Sequence, residues 1–280
     1  MIRRLMKMLP AGTTILVLCA STASAEPPHS PRPGGVAVIR LNVADASGAA
    51  APAVTFNEKP AMVIQHDDEW LAIVGIPLEQ EVGNAFISIS RGTDRDVMRE
   101  FEVLDHQYRE QRLSVNRKYV DLNQEQLQRV IAERKIIDAA LGSWRDDAPD
   151  TLALDAPVAG PRSSSFGLRR FFNDQPRSPH KGMDIAATLG TPIVAPAAGI
   201  IATTGDFYFN GNTVIIDHGQ GFVTLFCHLD KVEVENGQQV LSGMRIGAVG
   251  ASGRVTGAHL HFATYLSGTA VDPALFLSSD

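Results

Sequence analysis

The sequence predicts a mainly β protein, in which a small β-sandwich-like domain and a larger β domain are separated by one linking α-helix. Three observations carry this. Short runs (VAVIRLNV, AVTF, AMVIQH, WLAIVGI, NAFISIS and REFEVL) recur from Val36 to about Val103 between Gly, Pro, Asp or Asn breaks, as strands and turns do. A second set, TPIVAPAAGIIATTG, NTVIIDHG, GFVTLFCHL, RIGAVG and HLHFATYL, fills the chain from about Leu152 to Asp280. Between them lies DLNQEQLQRVIAERKIIDAALGSW, whose apolar residues follow helical rather than alternating spacing.

Taken in order, residues 1–25 read as a secretory signal peptide. Arg3, Arg4 and Lys7 precede a short apolar stretch around Ile15–Ala20, and the segment ends Ala23-Ser24-Ala25. The apolar stretch is short for a bilayer span. An exported protein of the periplasm or cell envelope is expected, with no membrane span in the mature chain. Loss of Arg3, Arg4 and Lys7 takes the formal charge from −6 to −9. No basic run is long enough for nucleic acid. Cys227 is then the one remaining cysteine, so no intrachain disulfide is expected. Residues 26–35 (EPPHSPRPGG) are a flexible lead. Residues 36–112 form the N-terminal β domain, where His66 and His106 stand isolated and carry no assigned chemistry.

Residues 113–150 are a helical linker. Asn123 is a plausible N-cap with Gln126 completing a capping box, and Leu122 and Leu127 are spaced for a hydrophobic staple. Leu127, Val130, Ile131, Ile137 and Leu141 follow helical spacing and Gly142 ends the run. The helix is expected to span about 18 residues, roughly 27 Å. DDAPD (Asp146–Asp150) leads into the last domain, residues 151–280, which is large enough to bury its own core.

Five of the eight histidines fall between His180 and His261. SPHKGMD places His180 and Asp184 four apart, VTLFCHLD puts His228 near a strand end, and GAHLHF supplies His259 and His261. In a strand, residues two apart project to one face, so His259 and His261 point together with Leu260 turned away. Imidazole and carboxylate are good zinc ligands, and a catalytic zinc keeps three protein ligands and one open position. The Glu that a cupin would place after its H-x-H pair is missing: Ala263, Thr264 and Tyr265 follow. The ordered set of H-x-x-x-D, a strand histidine and H-x-H is a specific pattern.

The stretch from about Gly160 to Phe276 resembles the lysostaphin-type (LytM-domain) zinc metallopeptidases at SPHKGMDIAA, TPIVAPAAGI, GNTVIIDHGQGFVTLFCHL and GRVTGAHLHF. The preceding β domain and helix resemble the N-terminal extension of Gram-negative exported members. The resemblance implies antiparallel sheets with a narrow groove and one Zn2+ per chain on its floor. His180, Asp184 and His261 are then the zinc ligands, and His228 and His259 the catalytic histidines that do not bind metal. It implies hydrolysis of peptidoglycan stem-peptide cross-links, either D-alanyl–meso-diaminopimelate or a glycine bridge. The alternative is a non-catalytic regulator that activates a cell-wall amidase. Phe226 stands where many members have Tyr, and Met183 replaces a commoner aliphatic residue.

Other polar residues are expected to be structural. His218 reads as a turn residue, Cys227 as a core residue facing away from His228, and Asp217 and Asp230 as solvated or capping. Arg169, Arg170 and Arg254 are equally consistent with substrate contacts and with solvated loops. Every candidate catalytic residue follows Pro179, so the chain before it is expected to modulate access, and a chain beginning near Thr151 to retain hydrolysis.

Overall fold

The structure, a computed structural model, describes residues 26–42, 51–67, 69–90, 95–113, 122–176 and 178–278. The leader segment expected over residues 1–25 lies outside them. Among the described residues no helix is long and apolar enough to cross a membrane.

The N-terminal strands are β1 (Val36–Leu41), β2 (Ala53–Phe56), β3 (Lys59–His66), β4 (Glu69–Gly75), β5 (Gly83–Ser90) and β6 (Val97–Val103). They form one antiparallel sheet in the order β1-β4-β3-β2-β5-β6. Lys59–Ala61 of β3 pairs with β2 and Met62–His66 pairs with β4, so β3 belongs to both halves of the folded-over sheet. Ala61, Val63, Ala72 and Val74 pack inside this sheet, together with Ile87 and Ile89. Their alternates Met62, Ile64, Leu71 and Ile73 turn the other way, into the core of the C-terminal part. Burial on both faces explains why AMVIQH and WLAIVGI read as continuous apolar runs.

The helix α1 (Gln124–Leu141) has the expected capping box: the Asn123 side chain accepts from the Gln126 N–H, and Gln126 accepts from the Asn123 N–H. Gly142 follows its last turn. The inward stripe is narrower than the spacing suggested. Ala140 and Leu141 join a core with Ile215, Leu225, Ala263 and Tyr265, while Leu127 and Ile131 stay half exposed. Polar contacts fasten the rest of the helix: Glu133 Oε2 accepts from the Tyr208 N–H at 2.8 Å, and Arg129 donates to the Asp206 carbonyl at 3.1 Å.

The C-terminal sheet runs β16 (Gln239–Val240), β13 (Gly199–Phe207), β14 (Gly211–Gly219), β15 (Phe222–Val232), β18 (Leu260–Leu266), β11 (Met183–Ile185) and β8 (Arg162–Ser164). β17 (Arg245–Val249) pairs with β15 and with β12 (Pro192–Val194), and β19 (Thr269–Val271) with β18. A strand absent from the sequence reading, β7 (Glu110–Leu113), runs parallel to β9 (Arg169–Phe172), which also pairs with β10 (Gln175–Pro176). Residues following the N-terminal sheet therefore build the edge of the C-terminal part.

His218 is not a turn residue. It sits inside β14, 3% exposed, with Nδ1 donating to the Ala198 carbonyl (2.7 Å) and Nε2 accepting from the Thr224 hydroxyl (2.8 Å). Asp217 is likewise buried. It caps the turn by accepting from the Gly219 N–H and pairs with Arg145 at 3.1 Å. Asp230 is exposed, as expected.

Two outcomes follow. A chain beginning at Thr151 uncovers the face of Phe222, Leu266 and Val271 that Met62, Ile64, Leu71 and Ile73 cover, and loses Ala140 and Leu141 from the second cluster. Contrary to the expectation from sequence, it should aggregate or bind a hydrophobic dye. A cooperative thermal transition within a few degrees of the full chain's would contradict this. The second outcome concerns pH. Burial pushes His218 down to about 4 from 6.5. Between those values the unfolded state binds the extra proton, so stability falls as pH drops through the window, by about 3 kcal/mol in all. Urea titrations at pH 7 and pH 4 should show that loss shrinking in His218→Gln; an identical pH dependence would remove His218 as its source.

Candidate metal centre

β18 organises the site. Leu260 and Phe262 point into the core with no exposure, and His261 projects from the other face. His259 precedes the strand, bridges to Gly250, and lines the same groove. Antiparallel pairing sets Asp184 of β11 directly opposite His261 on one side and Cys227 of β15 on the other. His180 lies in the loop before β11. The Gly167 N–H donates to its carbonyl (2.8 Å) and its own N–H donates to the Leu168 carbonyl (3.1 Å).

These elements bring His180, Asp184 and His261 together. Nε2 of His180 lies 3.0 Å from Oδ1 of Asp184, Nδ1 of His261 lies 2.9 Å from the same oxygen, and the two nitrogens are 3.0 Å apart. A tetrahedral zinc site with bonds of about 2.0–2.1 Å has ligand–ligand edges of about 3.3 Å, close to this triangle. The donor chemistry fits a cation as well. His180 Nδ1 donates to the Ser165 carbonyl at 3.0 Å, which fixes the neutral tautomer with the Nε2 lone pair facing the site. His180 Nε2 and Asp184 Oδ1 then converge as acceptors, and His261 Nδ1, which donates its proton to Asp184 Oδ1, would become the third on losing that proton. Burial alone would push the Asp184 carboxyl up, but the His180 and His261 rings against it hold it well below the usual carboxylate range. Burial pushes His261 down, opposed by its hydrogen bond to Asp184.

His228 and His259 stand beside this trio, with ring centroids 4.9 Å apart. His228 Nδ1 donates to the Ser252 carbonyl at 3.1 Å and His259 Nδ1 to the Gly257 carbonyl at 2.9 Å. Their Nε2 atoms are left for the groove, that of His259 lying 3.9 Å from Asp184 Oδ1. Burial, with His261 and His259 acting in the same sense, pushes His228 down to about 4.

His228 reaches the groove through a β-bulge. Phe226 faces Val214 but Leu229 faces Asn212, so β15 carries an extra residue, and His228 has φ +67°. Bulges re-aim side chains in this way. Simple alternation would send His228 to the core face of Phe226; the bulge lets it line the groove together with Cys227. Cys227 is otherwise the expected core residue, 1% exposed, its thiol pushed up by burial.

The groove encloses about 640 Å³. Arg170 and Arg254 both line it, whereas Arg169 is exposed. Arg170 Nη2 donates to the Ser164 hydroxyl at 3.3 Å and lies 3.8 Å from Asp184 Oδ2. The Arg254 guanidinium sits 5.6 Å from the Phe209 ring centroid. Sequence reasoning passed over Gly182. A Cβ there would lie 2.5 Å from the Phe262 carbonyl and 2.8 Å from Cε1 and Nε2 of His261. A glycine directly before a short strand, as in HKGMD, is the residue type that such a close approach requires.

A mainly β fold thus presents a His-Asp-His donor set, able to hold a metal ion, along a groove. Residues 178–273 match peptidase family M23, and residues 29–105 match the peptidase family M23 N-terminal domain. A crystal structure assigned to peptidase M23 from Pseudomonas aeruginosa superposes with a TM-score of 0.74 at 38% identity, covering 88% of this chain and 94% of that one. The chain belongs to peptidase family M23. It is also 40% identical over 111 residues to the peptidoglycan DD-endopeptidase ShyA of Vibrio cholerae, and 38% identical over 144 residues to ShyC of the same organism. These alignments cover 39% and 49% of this chain but 26% and 33% of the relatives.

Gly182→Ala should displace the His261 ring and lower zinc content in the purified protein while far-ultraviolet dichroism stays unchanged. Full zinc occupancy would show that the close approach is not needed.

Proposed function

We propose that the protein is a zinc-dependent endopeptidase of the cell envelope that hydrolyses peptide cross-links of peptidoglycan, with His180, Asp184 and His261 holding the metal. The observation that carries this is the triangle of three donor atoms about 3 Å on a side in an open groove, flanked by two histidines whose Nε2 atoms are free. Zinc held there supplies a Lewis acid and a water whose pKa falls to about 7.

The chain's own contribution is positioning and proton handling. With Nδ1 tied to a backbone carbonyl, His228 and His259 each present an Nε2 lone pair that can take a proton and return it to the leaving amine. Once protonated, either ring can donate to an oxyanion. The groove admits an extended peptide, and Arg170 and Arg254 along it suit a substrate bearing carboxylates. The D-alanyl–meso-diaminopimelate bond is the proposed target. It joins two D centres, in keeping with the DD-endopeptidase names of the relatives, whereas a glycine bridge has no stereocentre. The site lies on an exported chain in the periplasm on this reading, and peptidoglycan is the one macromolecular partner it requires.

The two members of GAHLHF then have different jobs. His261→Ala, like His180→Ala or Asp184→Ala, should lose zinc and activity together. His259→Ala and His228→Ala should keep close to one zinc per chain and lose about 10²–10⁴ in turnover. Zinc content and digestion of purified sacculi, with products identified by mass, check this. Metal retained in His261→Ala but lost in His259→Ala would reverse the assignment. Zinc-loaded wild type that releases no peptide would leave a non-catalytic regulator of an amidase in place of a peptidase.

A further inference from the structure

A second cavity of about 590 Å³ adjoins the groove, and Gln111 of β7 lines both. Ser165, whose carbonyl holds His180, lines it from the C-terminal part, and Arg32, His106 and Arg109 from the N-terminal part; Arg162 completes its cationic wall.

Arg32 is poorly satisfied there. Nη1 reaches His106 Nδ1 only at 3.4 Å, Nη2 reaches Asp272 only at 3.5 Å, and Nε is buried with no partner. A guanidinium cannot accept a hydrogen bond, so His106 Nδ1 is the acceptor and the ring hydrogen of His106 sits on Nε2 as a further donor. Burial, then the charge of Arg32, hold His106 below its ordinary pKa, consistent with a neutral ring. Arg109 and Arg162 make no ion pair among the described residues, and Glu110 on the same wall is paired with Arg112 at 3.3 Å. The cavity lining thus sets three arginines against Asp272, which lies 3.5 Å from Arg32, and the already paired Glu110. The chain as a whole carries −6, so this local excess of positive charge does not come from composition.

We propose that this cavity is a carboxylate-binding subsite, which seats a free carboxylate of the cross-linked stem peptides away from the scissile bond. The proposal rests on the reading of the groove as a stem-peptide site. Planar, forked guanidiniums suit carboxylates, and the shared Gln111 wall makes cavity and groove one continuous surface for an extended ligand.

The test uses the full-length zinc-loaded chain and a double variant, Arg109→Gln/Arg162→Gln, at two exposed positions, with Arg32→Gln as an independent single variant. Calorimetric titration with the free tetrapeptide stem, and with the same peptide amidated at its carboxylates, measures the subsite without turnover. The double variant should bind the free peptide about tenfold more weakly, as loss of one charge-assisted hydrogen bond would give. Wild type should bind the amidated peptide as weakly as the variant binds the free one. With the tetrapeptide dimer as substrate, KM should rise by a similar factor with kcat and zinc content unchanged. Equal affinity of wild type and both variants for the free peptide, or no binding by wild type at millimolar concentration, overturns the subsite. Arginine-dependent binding without dimer cleavage keeps the subsite and sinks the endopeptidase reading; cleavage with unchanged KM and affinity does the reverse.

Discussion

At the centre of the groove a buried carboxylate oxygen is held about 3 Å from two imidazole nitrogens. An isolated buried carboxylate is strongly disfavoured. Asp184 Oδ1 escapes that cost only while its partners stay in place. The arrangement is fixed by strand register: Asp184 and His261 are direct cross-strand partners, and a slip of one residue would turn one of them to the opposite face of the sheet. His180 has no such register. Its position comes from the Gly167 and Leu168 backbone bonds and from the Ser165 carbonyl. Two strands and one pinned loop therefore set the three ligand atoms close enough together to hold a metal ion.

Several otherwise costly features become intelligible from that point. Gly182 carries no side chain because the His261 ring occupies the space beside it. A non-glycine residue at φ +67° is unfavourable, yet His228 adopts it where the bulge in β15 brings its imidazole beside the His-Asp-His trio. Gly167 at φ +77° abuts the Tyr108 ring, which in turn donates from its hydroxyl to the Pro33 carbonyl at 2.8 Å. The loop that carries His180 is thereby braced by residues from the N-terminal part of the chain.

How much was legible in the sequence follows from the range of each interaction. The capping box at Asn123 is local, three residues wide, and the reading matches the structure. Strand alternation is equally local and correctly sets Leu260 against the core with the neighbouring histidines on the other face. His218 was misread because IIDHGQG looks like a turn, whereas Asp217 does cap that turn and is in addition buried. His218 is held by Thr224 across the hairpin and by the more distant Ala198, and Arg145 reaches Asp217 from 72 residues away. The His228 bulge was hidden for a related reason, since nothing in VTLFCHLD shows that β14 is one residue short of its partner. The helix stripe was read too wide because Leu127 and Ile131 obey the right period, while the surface that α1 meets is only one residue row across. Burial on two faces in β3 and β4 erases the alternation that would have distinguished inner from outer residues.

The same non-local contacts change the status of the N-terminal part. Every candidate catalytic residue follows Pro179, and from sequence alone that suggests a self-sufficient C-terminal domain with an accessory in front. The core does not divide there. Met62, Ile64, Leu71 and Ile73 share one cluster with Phe222, Leu266 and Val271. Ser267 donates to the Pro60 carbonyl at 2.6 Å, and Gln220 accepts from the Val63 N–H at 2.9 Å. β7 adds a strand beside β9 and carries Gln111 to the rim of the groove opposite Arg170 in register. A segment that supplies apolar cover, backbone pairing and a wall of the groove cannot change its position without altering the surface a substrate meets. The shape of the groove and the packing of the core therefore draw on the same contacts.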